Sequence, residues 1–314
     1  MSELLSSIPT TSSLASSVVM VRPHFFRTNP QTRADNAFQS TLSLTDTQIS
    51  QRAFVEVSLA ASALELHGIK VNLFEDTGKK TPDSVFPNNW FSSHPSGDWF
   101  YYPMLATNRR KERRKDVLRN LTRLHHVERI HDLTRFEQSS QILEGTGAMV
   151  FDHENHCFYV ARSLRTDDAL IREVEQTLGM KAFVFDTQDE SGSPIYHTNV
   201  IMTLGQHFVA MCFDFLHDQE QKHQLIEQFK RTGKQIIYLS REQIRHFCGN
   251  MLELQGEHGS ILALSTTAFN ALNDIQKRTL SKWTYLQPLH VPTIESAGGS
   301  VRCMIGEVFL PKHS

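Results

Sequence analysis

Near the end of the chain, Cys303 closes the run Glu295-Ser-Ala-Gly-Gly-Ser-Val-Arg-Cys303. A thiolate is a strong nucleophile, and a cation beside it, here Arg302, favours that form. Gly298 and Gly299 carry no side chain, so a ligand can lie close to the main chain there. A cysteine after a glycine-rich turn is ordinarily an inert buried thiol. Here its spacing from other polar residues argues for chemistry instead. Asn250 lies 53 residues before Cys303, His197 another 53 before that, and Glu144 another 53 earlier. Asn89 follows the same stride at 55. Nucleophile, imidazole and carboxylate are the parts of covalent catalysis with general acid–base assistance.

Each of these residues introduces an apolar stretch, a polar or glycine turn, and a second apolar run. Met149–Phe151, His153-Glu-Asn-His156 and Cys157–Val160 form one such set; Val200–Leu204, Gly205-Gln206 and Phe208–Phe213 form another. This is the grammar of β-hairpins. A period near fifty residues points to a propeller-like array. The same position of every unit then faces one axis, and Asn89, Glu144, His197, Asn250 and Cys303 converge. Between hairpins the pattern predicts a helix and a strand. Thr45 and Gln48 form a capping box for a helix reaching about His67, with Gly68 as its stop. Further helices are expected at Asp168–Leu178, Asp218–Arg231 and Thr267–Trp283. The unit holding Cys303 is short, and the β-branched run Val18–Val21 is placed to complete it.

The chain has 314 residues, 39% hydrophobic and 21% charged, with a net charge of −2. That balance implies a globular chain with no general affinity for polyanions. The basic stretch Asn108–His125 lacks the interleaved aromatics of a nucleic-acid surface. It reads as a solvated outer helix, buried through Val117, Leu118, Leu121 and Leu124. Neither a nucleic acid nor a membrane is expected as partner. The four cysteines form no CxxC pair, which fits a reducing, cytoplasmic setting. His153–Cys157 and His125-His126 fall in a turn and at a helix end, so no metal or cofactor is expected. Residues 1–15 read as a flexible tail and 16–314 as one catalytic domain. His24–Asn36 is a polar loop too long for an ordinary turn, and such loops often carry function. The sequence sets no oligomeric state and is compatible with a homodimer.

With these positions in hand, the chain resembles the guanidine-modifying pentein superfamily, over Val21 to Pro311. That superfamily includes arginine deiminases, dimethylarginine hydrolases and amidinotransferases. The citrulline-utilisation hydrolase group is the nearest in pattern. The resemblance rests on Pro82-Asp-Ser-Val-Phe86, Leu143-Glu-Gly-Thr-Gly147, Ser163-Leu-Arg-Thr166, His197 and Gly298-Gly299 with Cys303. It implies an α/β fold, a five-bladed propeller of ββαβ repeats with pseudo-fivefold symmetry. It also implies Cys303 as nucleophile, His197 as acid–base and Glu144 as the carboxylate orienting it. Asp83, Asn88, Asn89 and Asn250 would serve as head-group or substrate contacts. Arg165 would clamp an α-carboxylate, with Arg22 a second candidate. Many relatives carry acids where Asn88 and Asn89 stand. Uncharged amides suit a neutral ureido group, so the expected substrate is the amino acid citrulline, cleaved to ornithine, carbon dioxide and ammonia. Arginine deiminase, dimethylarginine hydrolase and amidinotransferase activities stand as alternatives, as does a non-enzymatic scaffold of the same fold.

Overall fold

The computed structural model describes residues 13–33, 36 and 38–313. The expected tail lies outside the described residues as far as residue 12. Ala15 is already buried, and its carbonyl accepts from Gln255 N at 2.9 Å.

Strand β1 (Ser17–Pro23) runs parallel to β2 (Lys70–Asp76). Next come β3 (Phe91–Ser93), β4 (Asp98–Tyr101) and β5 (Arg129–Asp132). They are followed by β6 (Met149–Asp152), β7 (Cys157–Ala161) and β8 (Lys181–Phe185). Then come β9 (Met202–Leu204), β10 (Phe208–Met211) and β11 (Gln235–Tyr238). The next set is β12 (Leu252–Gly256), β13 (Gly259–Ser265) and β14 (Tyr285–Leu289). Within each set of three, an antiparallel hairpin is followed by a parallel strand. The last strand, β15 (Gly306–Glu307), pairs antiparallel with β1 and completes a fifth three-stranded sheet. The two ends of the described chain thus share one unit, as the sequence predicts.

Hydrogen bonds link each sheet to the next. Thr146 Oγ1 donates to Asn88 O, Thr198 Oγ1 to Ala148 O, and Thr203 Oγ1 to Gly249 O. Gln255 N donates to Ala15 O, and Ser93 Oγ to Glu307 O. The five sheets therefore form a ring with β3, β6, β9, β12 and β15 innermost. The outer helices are held by burial of one face. Helix Asp46–Glu65 carries the Thr45–Gln48 capping box and buries Ala53, Val57, Ala60, Ala61 and Leu64. That is the i, i+4, i+7 pattern of a one-sided helix.

Two expected helices differ. Thr267–Trp283 splits into Thr266–Ala271 and Asp274–Leu280, because Leu272 turns to extended backbone and Asn273 caps a new helix with Gln276. The basic stretch yields only a 3₁₀ turn, Arg109–Glu112, and a short helix, Lys115–Leu121. Val117, Leu118 and Leu121 are buried, but Leu124 is exposed. Among the described residues no helix is long and apolar enough to cross a membrane.

Candidate active site

The period of the sequence becomes geometry at the entrance to each inner strand. Asn89 ends the 3₁₀ turn Pro87–Asn89, directly before β3. Glu144 and His197 each precede one helical turn, Gly145–Ala148 and Thr198–Ile201, that feeds β6 and β9. Asn250 precedes β12, and Cys303 lies in the turn before β15. At each of these breaks a polar side chain or the thiol stands just ahead of the strand.

A narrow cavity results. Asp83, Asn89, Arg109, Arg165, His197 and Cys303 line it, with Tyr196 and the Gly298-Gly299 backbone. Four other predicted site residues, Asp83, Asn89, Arg165 and His197, thus share this cavity with Cys303. Glu144 lies directly behind them. Its Oε2 accepts from His197 Nε2 at 2.9 Å and from Arg165 Nη1 at 3.1 Å. Its Oε1 accepts from Leu105 N at 3.0 Å. Burial alone would raise this carboxyl, but Arg165, His197 and Arg109 outweigh burial and hold it well below the usual range. Burial pushes His197 down to about 4, against the pull of Glu144. At neutral pH the imidazole is therefore uncharged. Its Nε2–H points at the anionic Glu144, and its Nδ1 keeps a lone pair, the form a general base needs.

The sulfur of Cys303 faces two amides. Asn250 Nδ2 is 3.3 Å from Sγ and Asn199 Nδ2 is 3.5 Å from it. Asn250 Oδ1 accepts from the Cys303 main-chain N at 3.4 Å. Asn250, expected to touch substrate, bonds both the sulfur and the main chain of Cys303. Asn199 is a residue the sequence reading missed. Its signal was its place two residues after His197, on the helical turn that the strand pattern obscured. Arg302, expected to attend the sulfur, points elsewhere: its guanidinium bonds Ile305 O and Glu307.

Asp83, Asn89 and Arg109 form a linked group in the cavity wall. Arg109 was assigned to a solvated helix face. It is buried, and it grips Glu112 through Nε at 3.1 Å and Nη2 at 2.9 Å. Its Nη1 donates to Asn89 Oδ1 at 2.9 Å, and its Nε lies 3.7 Å from Asp83 Oδ2. The Glu112 three residues on was the available sign that this arginine is paired inside the fold. Arginine has only donors, so this contact fixes which end of the Asn89 amide is oxygen. Nδ2 is left as a donor with no protein partner. Asp83 Oδ2 accepts from Asn29 Nδ2 at 2.7 Å, while its Oδ1 has no partner. Burial raises the Asp83 carboxyl despite nearby Arg109. Asn29, Thr32 and Asn36 come from the long loop after β1, which therefore reaches the site.

Gly147 makes the close packing feasible. A Cβ there would sit 2.2 Å from Asn89 Nδ2 and 2.8 Å from the His197 ring. Two expected contacts are not brought in. Arg22 lies beyond the cavity, bonded to Glu75 on the neighbouring strand β2 and to Ser58. Asn88 is fully buried and is not part of the cavity wall; its carbonyl serves Thr146 instead.

The N-terminal domain of ArgZ, an arginine dihydrolase from the ornithine-ammonia cycle in Cyanobacteria, has a similar structure. A cysteine-to-serine variant bound to substrate aligns with a TM-score of 0.73 at 13% identity, covering 94% of this chain and 98% of that one. AgrE in complex with ornithine and NAD+ aligns with a TM-score of 0.72 at 16% identity, over 95% of this chain and 40% of that longer one. The dimethylarginine hydrolase DDAH from Pseudomonas aeruginosa, a cysteine-to-serine variant complexed with citrulline, aligns with a TM-score of 0.65 at 13% identity, covering 94% and 99%. At these identities the likeness concerns the fold. No curated protein matches the chain. The family described as eukaryotic N,N dimethylarginine dimethylhydrolase matches residues 22–310. The chain therefore belongs to the N,N-dimethylarginine dimethylhydrolase family of guanidine-modifying penteins.

Proposed function

We propose that this cysteine-dependent hydrolase of guanidino or ureido C–N bonds acts on the ureido group of citrulline. The observation that carries the reading is the Asn89 amide, locked by Arg109 with Nδ2 as the unpaired donor. A guanidinium offers only N–H donors, so it would set donor against donor there. A ureido group offers one carbonyl acceptor for Asn89 Nδ2 and N–H groups for Asp83 Oδ1. An unsatisfied buried donor costs about 1–3 kcal/mol, enough to discriminate between the two. Arg165, which lines both this cavity and the wider one beside it, would meet the α-carboxylate.

In this mechanism Cys303 Sγ attacks the ureido carbon and its proton passes to Nδ1 of neutral His197. The C–N bond breaks and His197 returns the proton to the departing nitrogen. Water then adds to the S-carbamoyl adduct, with His197 again as base. The released carbamate loses carbon dioxide. Citrulline and one water thus yield ornithine, carbon dioxide and ammonia. Glu144 stabilises the imidazolium each time it forms. Asn199 and Asn250 offer N–H groups to the sulfur when it leaves. Citrulline labelled with ¹³C in the ureido carbon tests the reading by NMR. Label should appear in bicarbonate as ornithine accumulates. Unchanged label beside turnover of dimethylarginine would replace it with the dimethylhydrolase reaction.

A further inference from the structure

We infer that Tyr196 is a positioning residue that fixes the nucleophile turn against the acid–base pair; the inference rests on the hydrolytic reading above. Tyr196 sits on the wall between the catalytic cavity and a wider outer vestibule, and it lines both. Among the contacts of this side chain, three bear on the site. Its hydroxyl donates to Gly298 O at 2.7 Å. The Arg165 guanidinium lies over its ring at 4.9 Å. Its ring centroid is 4.9 Å from that of His197.

A buried tyrosine hydroxyl generally finds an acceptor, so the bond alone says little. The choice of acceptor matters. Gly298 has φ +82°, and a Cβ there would collide with the Asn36 side chain at 2.5 Å. Its carbonyl therefore belongs to a tightly held turn, and Cys303 N is bonded to Ser300 O within the same segment. The other end of Tyr196 acts through Arg165. Arg165 holds Glu144, Glu144 holds His197, and His197 is the next residue in the chain. The circuit closes on itself. Hydroxyl and ring thus have separable jobs. The hydroxyl sets where the sulfur stands relative to His197, and the ring face seats the arginine placed to meet the substrate's charged end. A misplacement of about 1 Å at the reacting atoms can cost on the order of a hundredfold.

Tyr196→Phe removes only the hydroxyl. It should lower kcat about five- to twentyfold, leave KM within about twofold, and speed alkylation of Cys303 by iodoacetamide at least about threefold, followed by intact mass. Tyr196→Leu also removes the ring face and should raise KM at least about fivefold. Phenylalanine should rescue KM but not kcat. Equal kcat and alkylation rate in Tyr196→Phe and wild type would overturn the inference. So would loss of kcat that tracks a lowered unfolding midpoint with no change in alkylation. Should wild type turn over no ureido or guanidino amino acid, the functional reading fails, while the alkylation comparison still decides the role of Tyr196.

Discussion

Asn89→Asp should reverse the preference between neutral and cationic head groups. The substitution keeps an oxygen facing Arg109 Nη1, now 2.9 Å from Asn89 Oδ1, so the ion pair holds the new carboxylate charged. It replaces Nδ2, the unpaired donor, with a second acceptor. A ureido carbonyl then loses its partner and meets a negative oxygen, at a cost of about 1–3 kcal/mol. A guanidinium gains a charge-assisted bond of about 1.5–3 kcal/mol. The two effects add in the ratio of kcat/KM values, giving a swing of about 2.5–6 kcal/mol. At about 1.4 kcal/mol per factor of ten, the citrulline-to-arginine ratio should fall by about two to four powers of ten. Another charge in a buried site lowers overall activity, so the ratio is the proper readout. The assay is ornithine and ammonia release from each substrate, with thermal unfolding to show that the fold persists. A ratio that moves by less than about threefold, or moves toward citrulline, would refute the donor–acceptor argument.

Cys303→Ser should abolish turnover without unfolding the chain, whereas Cys157→Ser and Cys248→Ser should keep at least about half of it; burial pushes the Cys248 thiol up to about 12 and raises that of Cys157, so neither is suited to attack. Gly147→Ala would force Asn89 and His197 aside, since its Cβ falls 2.2 Å from Asn89 Nδ2; steady-state assays should show kcat/KM reduced at least about a hundredfold. Acid should destabilise the protein through His197. Its native pKa of about 4 lies below the unfolded value near 6.5. The unfolded chain therefore takes up a proton that the native state refuses, and stability falls as pH drops through that window. The ceiling is about 3 kcal/mol, from about 1.4 kcal/mol per unit. Glu144, also held low, adds in the same direction at still lower pH. Unfolding midpoints between pH 4 and 7 should fall more steeply for wild type than for His197→Gln.

Much of this arrangement is legible in the chain because a repeat constrains both the strand order and the phase of its polar residues. The stride from Glu144 through His197 and Asn250 to Cys303 predicts convergence, and the structure joins Glu144 to His197 and Asn250 to Cys303, with His197 and Cys303 lining one cavity. A cap such as Thr45–Gln48 marks its helix start, because its chemistry is local. What depends on long-range contact is hidden. Arg109 has the composition of a solvated run, yet Asp83, Glu112 and Asn89 draw it inside. Arg22 sits beside a proline at the end of a core strand, but parallel pairing sets it against Glu75 and outside the cavity. Asn199 and Asn250 turn on side-chain direction at strand entrances, which the hairpin pattern does not encode.

The central claim is a catalytic cysteine acting on a neutral ureido group. Side-by-side kcat/KM values for citrulline, arginine and dimethylarginine, with all products identified, test it most directly. Citrulline should be preferred at least about tenfold and yield ornithine and ammonia in equal amounts. A preference for arginine or dimethylarginine, with citrulline accumulating as the end product, would contradict it.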